Sequence, residues 1–207
     1  MAQQKKKLFE SYKSKLANFA SDADIRRCLN CGPDKIMKYA ELKDFDCLSK
    51  LLPKVDFDYV VILIEEKLNS GHWTCVVRRG KTFTLFDSYG TGIDKELGFV
   101  GAGIKRLLGE DEPFISKMLR ECSCNADVID NRTQFQSLKP DVATCGRWTV
   151  IFIEMSKMGY SLDEFRNFVF TAAENSSKPT DLLVCDWIPL EKDIPLTTSA
   201  TSATSAR

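Results

Sequence analysis

The sequence predicts an α+β fold, a small mixed β-sheet packed against helices. Three observations carry that prediction. Residues 59–64 (YVVILI) form a short run of β-branched and aromatic side chains, the signature of a strand buried on both faces. Residues 72–79 (HWTCVVRR) and 82–90 (TFTLFDSYG) flank Gly80-Lys81, the pattern of two strands joined by a two-residue turn. From Cys145 the apolar spacing becomes helical, with Cys145, Trp148, Phe152, Met155 and Gly159 sharing a face.

The remaining elements follow in order. Leu8, Tyr12, Leu16 and Phe19 predict an amphipathic helix over 5–20, ending near Ser21-Asp22. Residues 22–56 read as a cysteine-rich turn around 28–34, short helical pieces over 37–42 and 48–52, and a stop at Pro53. Residues 93–121 read as helical with a break at Pro113, 126–130 as a strand, and 131–144 as a polar loop containing Pro140. Ser161 with Glu164 three residues on is a capping box that opens another helix. Residues 182–188 are a late apolar segment, with Cys185 in a strand-like run. The expected organisation is an N-terminal helical lobe or extension at 1–55, a core at 56–195 and a disordered, low-complexity tail at 196–207.

Composition removes several classes of function. A chain of 207 residues suits one compact domain. No apolar run approaches the ~20 residues of a membrane span, and the start has a basic patch but no apolar stretch, so neither a membrane partner nor a secretory signal is expected. Equal counts of 29 basic and 29 acidic residues argue against a dedicated nucleic-acid binder. Lys5-Lys6-Lys7 reads as a solvated helix start, with a weak nucleic-acid contact as the sharper alternative. The eight cysteines are expected to be reduced thiols. Cys28, Cys31, Cys122 and Cys124 could combine as a zinc site, but one CxxC with one CxC is a weaker pattern than two CxxC pairs. Neither metal nor organic cofactor is expected. The single histidine, His72, excludes a two-histidine metal site and carries any mechanism that needs an imidazole.

Cys145 lies between a polar loop and an apolar-periodic helix. A thiol there feels the positive end of the helix macrodipole, which favours negative charge. Gly146 beside it permits close approach of another backbone, as a substrate would require. Alone, Cys145 reads better as a buried structural cysteine at a helix start. His72 alters the balance, because it opens a strand after a loop, at a sheet rim, and a cysteine nucleophile needs an imidazole to take its proton. Asp87 supplies a third group. If Gly80-Lys81 form a two-residue turn, Arg79 faces Thr82 and Thr74 faces Asp87, so His72 and Asp87 become diagonal neighbours on one sheet face. A carboxylate there orients the imidazole. Gln134 and Gln136 precede the cysteine, and either carboxamide could donate to an oxyanion together with the Cys145 backbone N–H.

Gly71-His72-Trp73, then Leu85 to Gly90 (LFDSYG), then a glutamine, then Thr144-Cys145-Gly146 run in the order His–Asp–Gln–Cys. This resembles the adenovirus-protease (adenain) family and the related proteases that process SUMO and other ubiquitin-like proteins. Papain-like proteases have the opposite order. The resemblance spans roughly residues 59–170. It is strongest to maturation proteases of large DNA viruses, virophages and related transposable elements. The loop from Gln136 to Cys145 is longer than in adenain, and the first 55 residues match no family motif. The resemblance implies a cysteine-protease fold, with His72 as base, Asp87 as its orienting acid, Gln136 as oxyanion donor and Cys145 as nucleophile. Trp73 and Gly146 would border the substrate. It implies a monomeric viral cysteine endopeptidase that cleaves capsid or core precursor polypeptides at Gly-containing sites. It would act at the assembly site in the host cytoplasm and in the virion. The alternatives are a protease that removes ubiquitin-like modifiers from host proteins and an inactive protease-fold binding module.

Overall fold

The computed structural model describes residues 2–121 and 126–193, with 2–9 and 121 for their backbone alone. In chain order the elements are α1 (Ala2–Ala17), α2 (Asp22–Leu29), β1 (Ile36–Lys38), α3 (Leu48–Leu51), β2 (Asp58–Lys67), β3 (Ser70–Arg79) and β4 (Thr82–Phe86). They continue with α4 (Ala102–Leu108), α5 (Phe114–Glu121), β5 (Asp127–Asp130), α6 (Cys145–Lys157), α7 (Leu162–Ser176) and α8 (Thr180–Trp187). The fold is mixed α+β with a five-stranded sheet of order β1-β2-β3-β4-β5. β2, β3 and β4 pair antiparallel, while β1 and β5 add in parallel at the two edges.

β2 is buried on both faces, as its unbroken apolar run predicts. Tyr59, Val61 and Leu63 point to one core with Trp73, Cys75, Val77 and α6. Val60, Ile62 and Ile64 point to the other with Val76, Phe83 and Leu85. The β3–β4 hairpin has the expected register, from Arg79↔Thr82 to Cys75↔Phe86. Gly80 takes φ +61° in its turn, a left-handed conformation that favours glycine. The pairing ends at Phe86, and the Thr74 hydroxyl donates to Phe86 O at 2.6 Å. α6 begins at Cys145, and α7 is capped by Ser161 with Glu164 in reciprocal hydrogen bonds.

Several expectations change. The first helix stops at Ala17, and Ser21 caps a separate α2 through a capping box with Asp24. Met37 and Lys38 were expected in a helical piece but are extended in β1, which pairs with Val61–Leu63. Pairing with a preformed strand outweighs a weak local propensity. The late apolar segment is helix α8, so Cys185 lies on a helix packed against α6 and α7, not in a strand-like run. The tail at 196–207 lies outside the described residues, as do Cys122 and Cys124, on which the zinc alternative depends. The side chains of Lys5, Lys6 and Lys7 lie there too. No helix among the described residues is long and apolar enough to cross a membrane.

The first 55 residues are built into this body. Ile25 and Leu29 share a core with Trp148 and Phe152. The Ala143 N–H donates to Leu16 O at 2.7 Å, and the Trp73 indole N–H donates to Ala20 O at 2.8 Å. Arg147, fully buried, donates to Lys15 O, Asn18 O and Ile188 O and pairs with Asp193 at 2.6 Å. A buried guanidinium requires such pairing, because an unpaired charge in this position is severely destabilising; only Nε is left without a partner among the described residues. One residue of α6 therefore joins both ends of the described chain.

Candidate active site

The site is built on an aromatic floor. Phe86 stacks on Phe152 with ring centroids 4.2 Å apart, and Phe135 packs on Phe86, Trp148 and Phe165. Each ring of this size contributes about 1.5–3 kcal/mol when fully buried. Phe86 and Phe135 immediately precede Asp87 and Gln136, so core packing positions both candidate residues.

His72 and Asp87 meet at the end of the β3–β4 hairpin. Asp87 Oδ1 lies 2.6 Å from His72 Nε2. The carboxylate also accepts the Tyr89 N–H on Oδ1, and the Thr91 N–H and hydroxyl on Oδ2. Burial works against ionisation of Asp87, but its bonds to His72 and to these backbone groups hold the carboxyl below its usual range. Tyr89 stacks on the imidazole at 4.2 Å with planes 12° apart, which fixes the ring plane. Asn131 is buried and donates to Asp87 O at 2.5 Å, fastening the loop after β5 to the end of β4.

The other ring nitrogen, His72 Nδ1, is buried and makes no hydrogen bond among the described residues. The Cys145 thiol is nevertheless close enough to act on the imidazole. Burial opposes the charged ring, yet Asp87 and then Cys145 outweigh it, and the His72 pKa is pushed up to about 10. Cys145 is thus an electrostatic neighbour of the His72 ring.

Cys145 is the first residue of α6 and is buried. The first N–H groups of a helix have no intrahelical acceptor, so they point outward as donors. Its position is secured from α8. Asp181 accepts the Thr144 hydroxyl at 2.5 Å, the Trp148 indole N–H at 3.2 Å and the Ser137 N–H at 2.8 Å. One carboxylate therefore holds the helix start and the preceding loop together.

The two glutamines separate clearly. Gln136 is buried, accepts from the Ser88 hydroxyl at 2.9 Å and donates through Nε2 to Val142 O at 3.1 Å. A carboxamide nitrogen has two hydrogens, so one remains for a ligand. Gln134 is exposed and spends its amide on Gln136 O.

Gly146 is buried, and a β-carbon there would lie 2.7 Å from Ala20 Cβ and 3.1 Å from Trp73 Cδ1. The close approach it permits is that of the chain's own Ala20 and Trp73, rather than the substrate backbone expected from sequence.

Tyr89, Asn131, Asp181 and Arg147 were not assigned roles from sequence. Tyr89 belongs to the motif containing Asp87 and could have been suspected, but the others have no local signature. Glu96 is another. Its carboxyl is buried with Oε2 unpartnered among the described residues. Burial, reinforced by the charge of Asp87, pushes its pKa up to about 8.

Fold and site together define a mixed α+β protein with a cysteine at a helix start beside a buried His–Asp pair. The chain is 27% identical over 150 residues to "Uncharacterized protein V9" of Sputnik virophage, an alignment covering 72% of this chain and 82% of that protein. No protein-family model matches the chain, and no solved structure does.

Proposed function

We propose that the protein is a cysteine endopeptidase. The observation that carries this reading is the His72–Asp87 contact of 2.6 Å, with the opposite ring nitrogen uncommitted and Cys145 beside it. In the proposed cycle the thiol proton is held on the His72 ring, as an imidazolium, when Cys145 Sγ attacks a peptide carbonyl carbon. The carbonyl oxygen becomes an oxyanion, held by Gln136 Nε2–H and the Cys145 N–H. Collapse breaks the C–N bond, His72 returns its proton to the leaving amine, and a thioester remains. Water, deprotonated by His72, then releases the acid product and restores the thiol. Asp87 stabilises the imidazolium at each stage.

The proposed substrates are capsid or core precursor polypeptides cut at Gly-containing sites. The similarity to a virophage protein and the His–Asp–Gln–Cys order support that choice. The place of action on this reading is the host cytoplasmic assembly site and the virion. Incubation with a virophage capsid precursor, followed by sequencing of new N-termini, should show discrete cuts after glycine. An intact precursor alongside cleaved Gly-Gly conjugates of ubiquitin-like proteins would transfer the activity to modifier removal.

The glutamines give a second expected result. Gln136→Ala should lower kcat by ~10²–10³ with little change in KM, the usual cost of one oxyanion donor. Gln134→Ala should stay near wild type. Steady-state kinetics on one cleavable peptide distinguishes them, and the reverse pattern would reassign the donor.

A further inference from the structure

A groove of about 540 Å³ crosses from the sheet rim onto the N-terminal segment. That volume lies within the ~300–1,000 Å³ typical of sites that bury a ligand. Its inner end is lined by Gly71 and Trp73, the two neighbours of His72, and by Ala143, two residues before Cys145. Ala20 and Trp73 line it as well, and both pack on Gly146 next to the thiol. The groove therefore borders the candidate active site through the chain neighbours of His72 and Cys145, while His72, Asp87, Gln136 and Cys145 themselves do not line it.

Its lining is apolar inside and acidic at the rim. Ile36, Leu63 and Trp73 supply the apolar part. Of the charged groups, Lys38 pairs with the buried Glu65 at 3.3 Å and Asp22 pairs with Arg26. Glu41 and Glu66 are exposed and have no cationic partner among the described residues. Glu41 accepts only the Lys38 backbone N–H, at 2.6 Å. Glu66 lies towards the catalytic end, two residues after Ile64, which pairs with His72, and next to Glu65, which pairs with Gly71. The groove thus carries two uncompensated carboxylates on an apolar base. Such a surface complements an extended peptide with a long cationic side chain, whose methylenes cover apolar surface while its head reaches the rim.

We propose that this groove binds the substrate polypeptide, and that Glu41 and Glu66 select a lysine or arginine within a few residues of the scissile bond. This rests on the endopeptidase reading and assigns a specificity role to the N-terminal segment.

The test uses the full chain and a set of Gly-containing peptides, each made with Lys or Glu at successive positions on either side of the cut. At one or more of those positions, wild type should prefer the Lys member in kcat/KM. Glu66→Lys should reduce that preference roughly fivefold, the scale of an exposed ion pair. Glu41→Gln, which keeps the acceptor for Lys38 N–H, should reduce it further in the double variant. The preference should shrink as salt rises. Equal cleavage of Lys and Glu peptides at every position, or an unchanged ratio in both variants, would overturn the proposal while leaving the endopeptidase reading intact. Binding of the same peptides to Cys145→Ala by fluorescence anisotropy separates the two. Charge-selective binding without cleavage by wild type would support the groove and sink the endopeptidase. Binding without charge preference would sink the groove.

Discussion

Cys145→Ala should leave no detectable cleavage of a precursor peptide in a protein that remains folded. The substitution removes one sulfur from the first residue of α6, where alanine is the best helix former. The lost burial is worth on the order of 1 kcal/mol, so circular dichroism and the thermal midpoint should change little. Cys75→Ala and Cys185→Ala are the controls. Both thiols are buried, and burial pushes Cys75 well up and Cys185 to about 11, so each is a protonated packing group. These variants should lose some stability and keep activity. Full activity in Cys145→Ala would end the assignment of this residue as the nucleophile.

His72→Ala should lower kcat/KM on the order of 10⁴-fold or more, because no second imidazole exists to replace it. Asp87→Asn should cost less, but more than its charge alone. An amide nitrogen in place of Oδ2 would face the Thr91 N–H, donor against donor. The pH dependence carries a sign. The folded His72 pKa, about 10, lies above its ordinary 6.5. Its stabilising contribution is therefore complete below about pH 6.5 and is lost progressively as pH rises to about 10. Asp87 behaves oppositely: its depressed pKa gives stability above the ordinary 3.8 that is lost as pH falls through the lower folded value. Denaturant melts of wild type and His72→Ala across pH 6–10 should converge as pH rises. Parallel melts would remove the charged pair from the argument. The acid limb of the wild-type rate profile should belong to the Cys–His pair as a unit.

Much of the site was legible because its parts obey local rules. The alternation of β3 and β4 and the two-residue turn at Gly80-Lys81 set the register, and the register puts His72 and Asp87 on one face. The change to helical spacing at Cys145 marks a helix start, and the capping box at Ser161 marks another. Between the two glutamines only the family resemblance and nearness to Cys145 favoured Gln136. The glutamines are two residues apart on an extended stretch, and side-chain parity treats them alike. The structure distinguishes their surroundings: Ser88 and Val142 hold Gln136 in the interior, and Gln134 stays exposed.

By itself, then, the sequence determined strands β2 to β5, the hairpin register, the helix beginning at Cys145 and the single imidazole available to chemistry. These depend on neighbours a few residues apart, whose spacing repeats along the chain. Tertiary structure decided the rest. It pulled Met37 and Lys38 into a strand, brought Asp181 to Thr144 across 37 positions, and carried Arg147 to Lys15 O across 132. It also brought residues 19–22 and 36–41 of the N-terminal segment, which carries no recognisable motif, into one wall of the groove. Contacts at such separations leave no periodic trace, because their energy is realised only when the folded backbone brings the two residues together.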